Sequence, residues 1–343
     1  MKGLYFKELY SRREGGALPQ LVIAENENMQ SRFVVQKILE LREEGIPLEE
    51  VAVLFRSSFL SFDLEIELTK ANIPFVKYGG FKFIETAHVK DMIAYLRVLE
   101  NPRDIVSWNR ILLLVDGVGP RTAERVIEDI LSRKSGISPA GDSAIVSRKF
   151  WQEYQAYPAG VQSLFEKLGG LAGSKMSPAE KAYQVLEYYE PILRRQYDDH
   201  PKRMKDLEMF QDIAERYSGM EEFLTDMALE PPTESVVDVE SPGKEEEMLV
   251  LSTIHSAKGL EWKAVFLIYA LEGRFPSLKA LTSETELEEE MRLMYVACTR
   301  AKDHLYIAYP INIFDRESGT VLSKPSRFIQ GIDERLLEPW IVE

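Results

Sequence analysis

Leu21-Val22-Ile23-Ala24 and Val51-Ala52-Val53-Leu54-Phe55 are short apolar runs rich in β-branched and aromatic residues, and what lies between them decides the fold. From Ser31 to Glu44, the side chains of Phe33, Val34, Ile38, Leu39 and Leu41 recur as the stripe of an amphipathic helix, closed by Gly45-Ile46-Pro47. Strand, helix and strand in that order make a βαβ unit, and a helical crossover returns the second strand parallel to the first. Pro74-Phe75-Val76-Lys77-Tyr78 adds a further strand. The pattern stops near Asn101-Pro102 and returns at Met248-Leu249-Val250-Leu251, at Ala264 to Tyr269 and at Leu305-Tyr306-Ile307-Ala308. Between these lie helical patterns around Ala123–Leu131, Glu180–Tyr189 and Arg203–Tyr217, with almost no strand signal. The expected fold is therefore α/β: a parallel-sheet domain of residues 1–100 and 246–343, interrupted by an all-α subdomain of residues 101–245. The exit of the insert, Glu230-Pro231-Pro232 through Ser241-Pro242-Gly243-Lys244, reads as a solvated acidic connection.

The 343 residues fit about two domains, and 45% hydrophobic with 29% charged residues describes a folding chain. No apolar run approaches the roughly 18 residues of a membrane span, and the opening residues lack a signal-peptide core. A single cysteine, Cys298, excludes an internal disulfide and a cysteine-rich metal site, and four scattered histidines add no metal cluster. An intracellular, cytoplasmic protein is expected. The net charge of −14 is concentrated: residues 221–247 hold ten acids against Lys244 alone, and residues 284–290 hold five more. The rest of the chain is balanced, which leaves room for a locally basic groove and keeps nucleic acid among the partners.

Three stretches carry chemistry. Leu251-Ser252-Thr253-Ile254-His255-Ser256-Ala257-Lys258-Gly259-Leu260-Glu261-Trp262 opens from a strand end into a polar turn, where α/β sheets place ligand contacts. If that turn is helical, His255, Lys258 and Glu261 share one face; the alternative is a solvated loop. In Glu288-Glu289-Glu290-Met291-Arg292-Leu293-Met294-Tyr295-Val296-Ala297-Cys298-Thr299-Arg300-Ala301-Lys302, Arg292 and Arg300 lie eight apart, a spacing that suits a polyphosphate. The alternative, pairing with the glutamate run, fits Arg292 better than Arg300. Cys298 reads as a small buried hydrophobe. In Leu114 to Val126, Gly117-Val118-Gly119-Pro120-Arg121 stands between two helical patterns, either as a turn whose amides approach a phosphate or as an ordinary inter-helix turn.

The first two stretches resemble the fifth and sixth motifs of the UvrD/Rep/PcrA-type helicases, T-x-H-x-x-K-G-L-E and E-E-x-R-L-x-Y-V-A-x-T-R-A. Val51-Ala52-Val53-Leu54-Phe55-Arg56-Ser57 resembles the fourth motif. Tyr78-Gly79-Gly80-Phe81-Lys82-Phe83, Val89 to Arg97 and Pro325-Ser326-Arg327-Phe328 resemble further segments in family order. The resemblance implies the second RecA-like domain of a 3′–5′ DNA helicase with its helical insert. It implies ATP and Mg²⁺ in the whole enzyme, held between this domain and a first RecA-like domain. Arg56 and Arg300 would meet the γ-phosphate, and Glu261 the nucleotide sugar. His255 and Lys258 would lie near the single-stranded DNA, and Gly117, Gly119 and Arg121, in a turn resembling a helix-hairpin-helix, at the duplex of a junction. No G-x-x-x-x-G-K-[ST] occurs, so this chain alone is expected to bind no nucleotide strongly and to be inactive. The family usually carries Gln-Ser-Arg where Leu60-Ser61-Phe62 stands here, and Met291 replaces the first of a usual arginine pair. A helicase–nuclease subunit and a non-catalytic DNA-binding or protein-docking module are the competing readings; the 43 residues after Arg300 are too few for a nuclease domain.

Overall fold

The computed structural model describes residues 17–80, 82–132, 150–152, 154–228, 247–315 and 319–342. The acidic exit read in the sequence at residues 230–244 lies outside them. The chain divides into two compact units, Met1–Gly80 with Pro232–Glu343, and Phe81–Pro231.

The first unit contains β1 (Gln20–Ala24), α1 (Glu27–Glu43), β2 (Val51–Phe55), α2 (Phe62–Lys70) and β3 (Phe75–Tyr78). After the insert it resumes with β4 (Leu249–Thr253), β5 (Trp262–Leu267), α10 (Glu284–Cys298), β6 (Ala301–Pro310), β7 (Ile313–Asp315), β8 (Thr320–Leu322) and β9 (Glu338–Val342). Seven strands form one sheet in the order β3-β4-β2-β5-β6-β1-β9, every pair parallel. β7 and β8 make a separate antiparallel hairpin. All five residues of β2 are buried, as expected of a central strand covered on both faces. Phe266 and Tyr306 stack at 4.4 Å between β5 and β6. The first helix begins a turn before its apolar stripe because the Asn26 side chain accepts a 3.0 Å hydrogen bond from Met29 N, capping it.

The second unit is helical: α3 (Ala87–Glu100), α4 (Ile105–Leu112), α5 (Pro120–Ser132), α6 (Ala159–Leu171), α7 (Pro178–Gln196), α8 (His200–Ala214) and α9 (Met220–Asp226). Its division from the sheet unit falls at Gly80, earlier than residue 100, where the strand pattern ends. The reason is α3: ten of its 14 residues are buried, and they pack against α4, α7, α8 and α9. Asp91 at its centre accepts from Arg110 Nε and Tyr189 OH, both at 2.5 Å, and burial together with that carboxylate holds the Tyr189 phenol well above its usual range. Among the described residues, no helix is long and apolar enough to cross a membrane.

Candidate functional site

Because the strands are parallel, β2, β3 and β4 release their chains at the same edge of the sheet. Phe55 pairs with Thr253, and Ile254 N donates to Phe55 O at 3.1 Å, so Arg56 and the turn after Thr253 emerge side by side. The turn is anchored by the fully buried side chains of Ile254 and Ala257 and closed by hydrogen bonds from Ala257 N to Thr253 O and from Leu260 N to Ala257 O. Gly259, at φ +90°, supplies the left-handed residue that ends it. His255, Lys258 and Glu261 are all exposed, but they do not share a helical face, because the segment is a succession of turns. His255 stays at the edge where Arg56 emerges. Glu261 reaches the opposite edge, where Trp262 N donates to Arg300 O at 2.9 Å.

Arg56 leaves β2 and docks on α10. Its Nε donates to Glu290 Oε1 at 2.8 Å; the Glu290 side chain is 4% exposed and its Oε2 has no partner among the described residues. The terminal nitrogens of Arg56 are likewise unpartnered among those residues. Arg300 lies just beyond the C-terminal end of the same helix and folds back on neutral acceptors: Val296 O at 3.1 Å, Leu260 O at 2.8 Å and Thr299 Oγ1 at 3.1 Å. Among the described residues, no carboxylate pairs with it. Thus α10 runs between the two arginines, and the eight residues from Glu290 to Cys298 separate their docking points by about 12 Å of helix axis. Arg300 and Arg292 do not share one edge of a helix, because α10 ends at Cys298. Arg292 is exposed and pairs with Glu289 at 2.8 Å and Glu288 at 3.4 Å, whereas Arg300 stands past the helix end. Cys298 is half-buried, and desolvation pushes its thiol up to about 11. Glu290, read in the sequence only as one acid of a run, proves to be the partner of Arg56 across 234 residues.

In the helical unit, α4 and α5 flank the glycine turn. Gly117 adopts φ +75°, and a Cβ on either Gly117 or Gly119 would meet nothing within 4 Å. Val115 and Val118 are buried beneath, while Gly117, Gly119 and Arg121 are exposed. Thr122 N and Ala123 N turn inward to Gly119 O, and the amides of Gly117, Gly119 and Arg121 donate to no described residue. That leaves backbone donors facing solvent at a helix start, beside an exposed guanidinium. The neighbouring Asp116 carboxylate is taken up by Arg195 of α7.

An all-parallel sheet with a helical insert, and with arginines at both ends of the segment from mid-α10 to β6, defines a RecA-like domain of helicase type. The chain belongs to the UvrD-like helicase C-terminal domain family, whose profile matches residues 5–311. It is 31% identical over 349 residues to the ATP-dependent DNA helicase PcrA of Staphylococcus epidermidis, covering 97% of this chain and 46% of that protein. It is also 31% identical over 348 residues to PcrA of Staphylococcus aureus, with the same coverage. The chain therefore spans about half the length of these relatives. Among solved structures, the C-terminal domain of a possible DNA helicase from Lactobacillus plantarum aligns at a TM-score of 0.18 and 19% identity, over 29% of this chain and 49% of that one, too slight a likeness to bear on the fold.

Proposed function

We propose that this chain is the motor-completing C-terminal part of an ATP-dependent 3′–5′ DNA helicase acting in the cytoplasm. In this reading the sheet unit, residues 1–80 and 232–343, serves as its second RecA-like domain and residues 81–231 as the inserted lobe, the boundary lying at Gly80 and not at residue 100. The observation that carries it is the arrangement around α10. Among the described residues, Arg56 rests on a buried glutamate by Nε alone, leaving its terminal fork open, and Arg300 rests on neutral acceptors with no carboxylate to hold it. Both are suited to turn toward a triphosphate presented by a first RecA-like domain, with Glu261 toward the sugar. An arginine that meets the charge of phosphoryl transfer only when two domains close links hydrolysis to movement, and is worth about 10³–10⁵ in rate. Mg²⁺ would be held with the phosphates by the other domain; the described residues offer no group of His, Cys, Asp or Glu side chains for a metal.

His255 is exposed at the edge where Arg56 emerges and Lys258 is exposed in the turn that leads away from it, and both would lie along the single strand. The open amides of Gly117, Gly119 and Arg121 would hold duplex backbone at a single-strand/double-strand junction, giving salt-sensitive contact without sequence preference. The test is ATP hydrolysis and strand separation by the natural full-length protein. Single-stranded DNA should stimulate turnover, a duplex with a 3′ tail should be opened in preference to one with a 5′ tail, and the isolated 343-residue chain should hydrolyse nothing. No stimulation by DNA would favour a docking module in place of a motor.

A further inference from the structure

Beneath the loop that carries Arg56 lies a buried ion pair that the nucleotide reading does not use. Lys77 Nζ, on β3, stands 2.6 Å from Glu65 Oε1 on α2 and 3.2 Å from Ser58 O. Both side chains are almost wholly buried, Lys77 at 1% and Glu65 at 5% exposure. Ser61, fully buried, lies 2.7 Å from the same Glu65 oxygen and 2.8 Å from Ser58 O. The ammonium also rests 4.7 Å from the centre of the Phe62 ring. Taking two charges out of water is costly, and a well-packed apolar pair of the same shape often serves stability as well, so the pair calls for a role in geometry.

Its position supplies one. Gly80 approaches Ser58 so closely that a Cβ would fall 2.2 Å from Ser58 Oγ; on Gly79, at φ +84°, a Cβ would fall 2.4 Å from Thr253 Oγ1 and 2.9 Å from Ser256 Oγ. The Arg56 loop, the Gly79-Gly80 turn and the turn that carries His255 and Lys258 are therefore packed one on the next, and the ion pair pins the first two together. Phe62 stands at the last position of the segment where the family usually has Gln-Ser-Arg. An arginine there would lie one helical turn from Glu65, at the i,i+3 spacing. Phe62 offers Glu65 no charge, and Lys77 brings one from β3 across the face of that ring.

We propose that Lys77 is a positioning residue: it supplies from β3 the cation that an arginine at position 62 would supply from α2, and through Glu65, Ser61 and Ser58 it holds the Arg56 loop against the turns on the DNA side. The kinetic part of this rests on the helicase reading above; the charge relocation does not. Melting of the 343-residue chain tests the relocation. Lys77→Met should lower the melting temperature by roughly 10 °C, Phe62→Arg alone should also lower it by crowding two cations onto one carboxylate, and Phe62→Arg with Lys77→Met should recover most of the loss. A double variant that melts no higher than Lys77→Met overturns the relocation. The positioning role is read in the natural full-length protein, where the variants that fold should lose at least tenfold in DNA-stimulated kcat with KM for ATP and affinity for single-stranded DNA within about twofold. Glu65→Gln serves where Lys77→Met does not fold, and the double variant should regain wild-type kcat. An unchanged kcat in a folded Lys77→Met or Glu65→Gln protein overturns it. Absence of DNA-stimulated turnover in the wild-type protein would instead defeat the helicase reading and leave the melting result to stand by itself.

Discussion

Replacing Arg56 by Met removes the only cation that, among the described residues, pairs with a carboxylate 4% exposed, while keeping most of the side chain's bulk. Breaking a buried pair costs about 3–5 kcal/mol because one charge is left uncompensated. Here the Arg56 side chain is 26% exposed, so water moderates the loss, and about 2–3 kcal/mol is expected. Glu290→Gln should cost less, about 1 kcal/mol, since the amide oxygen still accepts from Nε and the guanidinium can hydrate. Arg56→Met with Glu290→Leu leaves no charge behind and should lie within about 1 kcal/mol of the parent. Hydrogen exchange in peptides from β2 and α10 reads this locally: the single Met variant should exchange about 30- to 160-fold faster through global opening. If Arg56→Met and Glu290→Gln exchange equally within threefold, or the double variant is worse than either single one, Glu290 is solvated and the docking argument fails.

Two further outcomes follow from the same geometry. Cys298, with its thiol pushed up to about 11 by burial, should resist a thiol reagent at pH 8 until urea is added. Because the unfolded thiol ionises first, the contribution of this group is fully present below about pH 9 and is lost as pH rises toward 11, so urea midpoints should fall over that window and do so less in Cys298→Ala. Gly119→Val should leave the fold intact, since its φ is ordinary and the added Cβ meets nothing, yet weaken binding of a junction duplex in the natural protein by blocking backbone approach; unchanged binding would make the segment an ordinary turn.

The fold was legible where side-chain pattern and burial coincide. Val51–Phe55 reads as a buried strand and is one, and the run from Leu21 places β1 within a residue. The strand β9 is not legible, because four of its five residues are exposed and Pro339 interrupts it at an edge. The end of β5 is misread by two residues: Ile268 and Tyr269 continue the apolar run, but Tyr269 turns to φ 54°, held by Gln30 Oε1 at its amide. For the site, spacing along a helix suggested that Arg292 and Arg300 act together, and it failed because α10 ends at Cys298. The pairings of Glu290 with the candidate Arg56, and of Lys77 with Glu65 beneath its loop, are set by sheet order rather than by local spacing, and nothing in a one-dimensional pattern marks them.

The proposed motor depends on arginines delivered to a nucleotide. The most direct measurement is DNA-stimulated ATP turnover of Arg300→Ala in the natural full-length protein, taken together with its affinity for single-stranded DNA. A loss in kcat of about 10³ or more is expected with that affinity nearly unchanged, and little recovery in Arg300→Lys, since a point charge does not reproduce the planar fork. An alanine variant that keeps its kcat and loses only DNA binding would place Arg300 on the strand track and contradict the account.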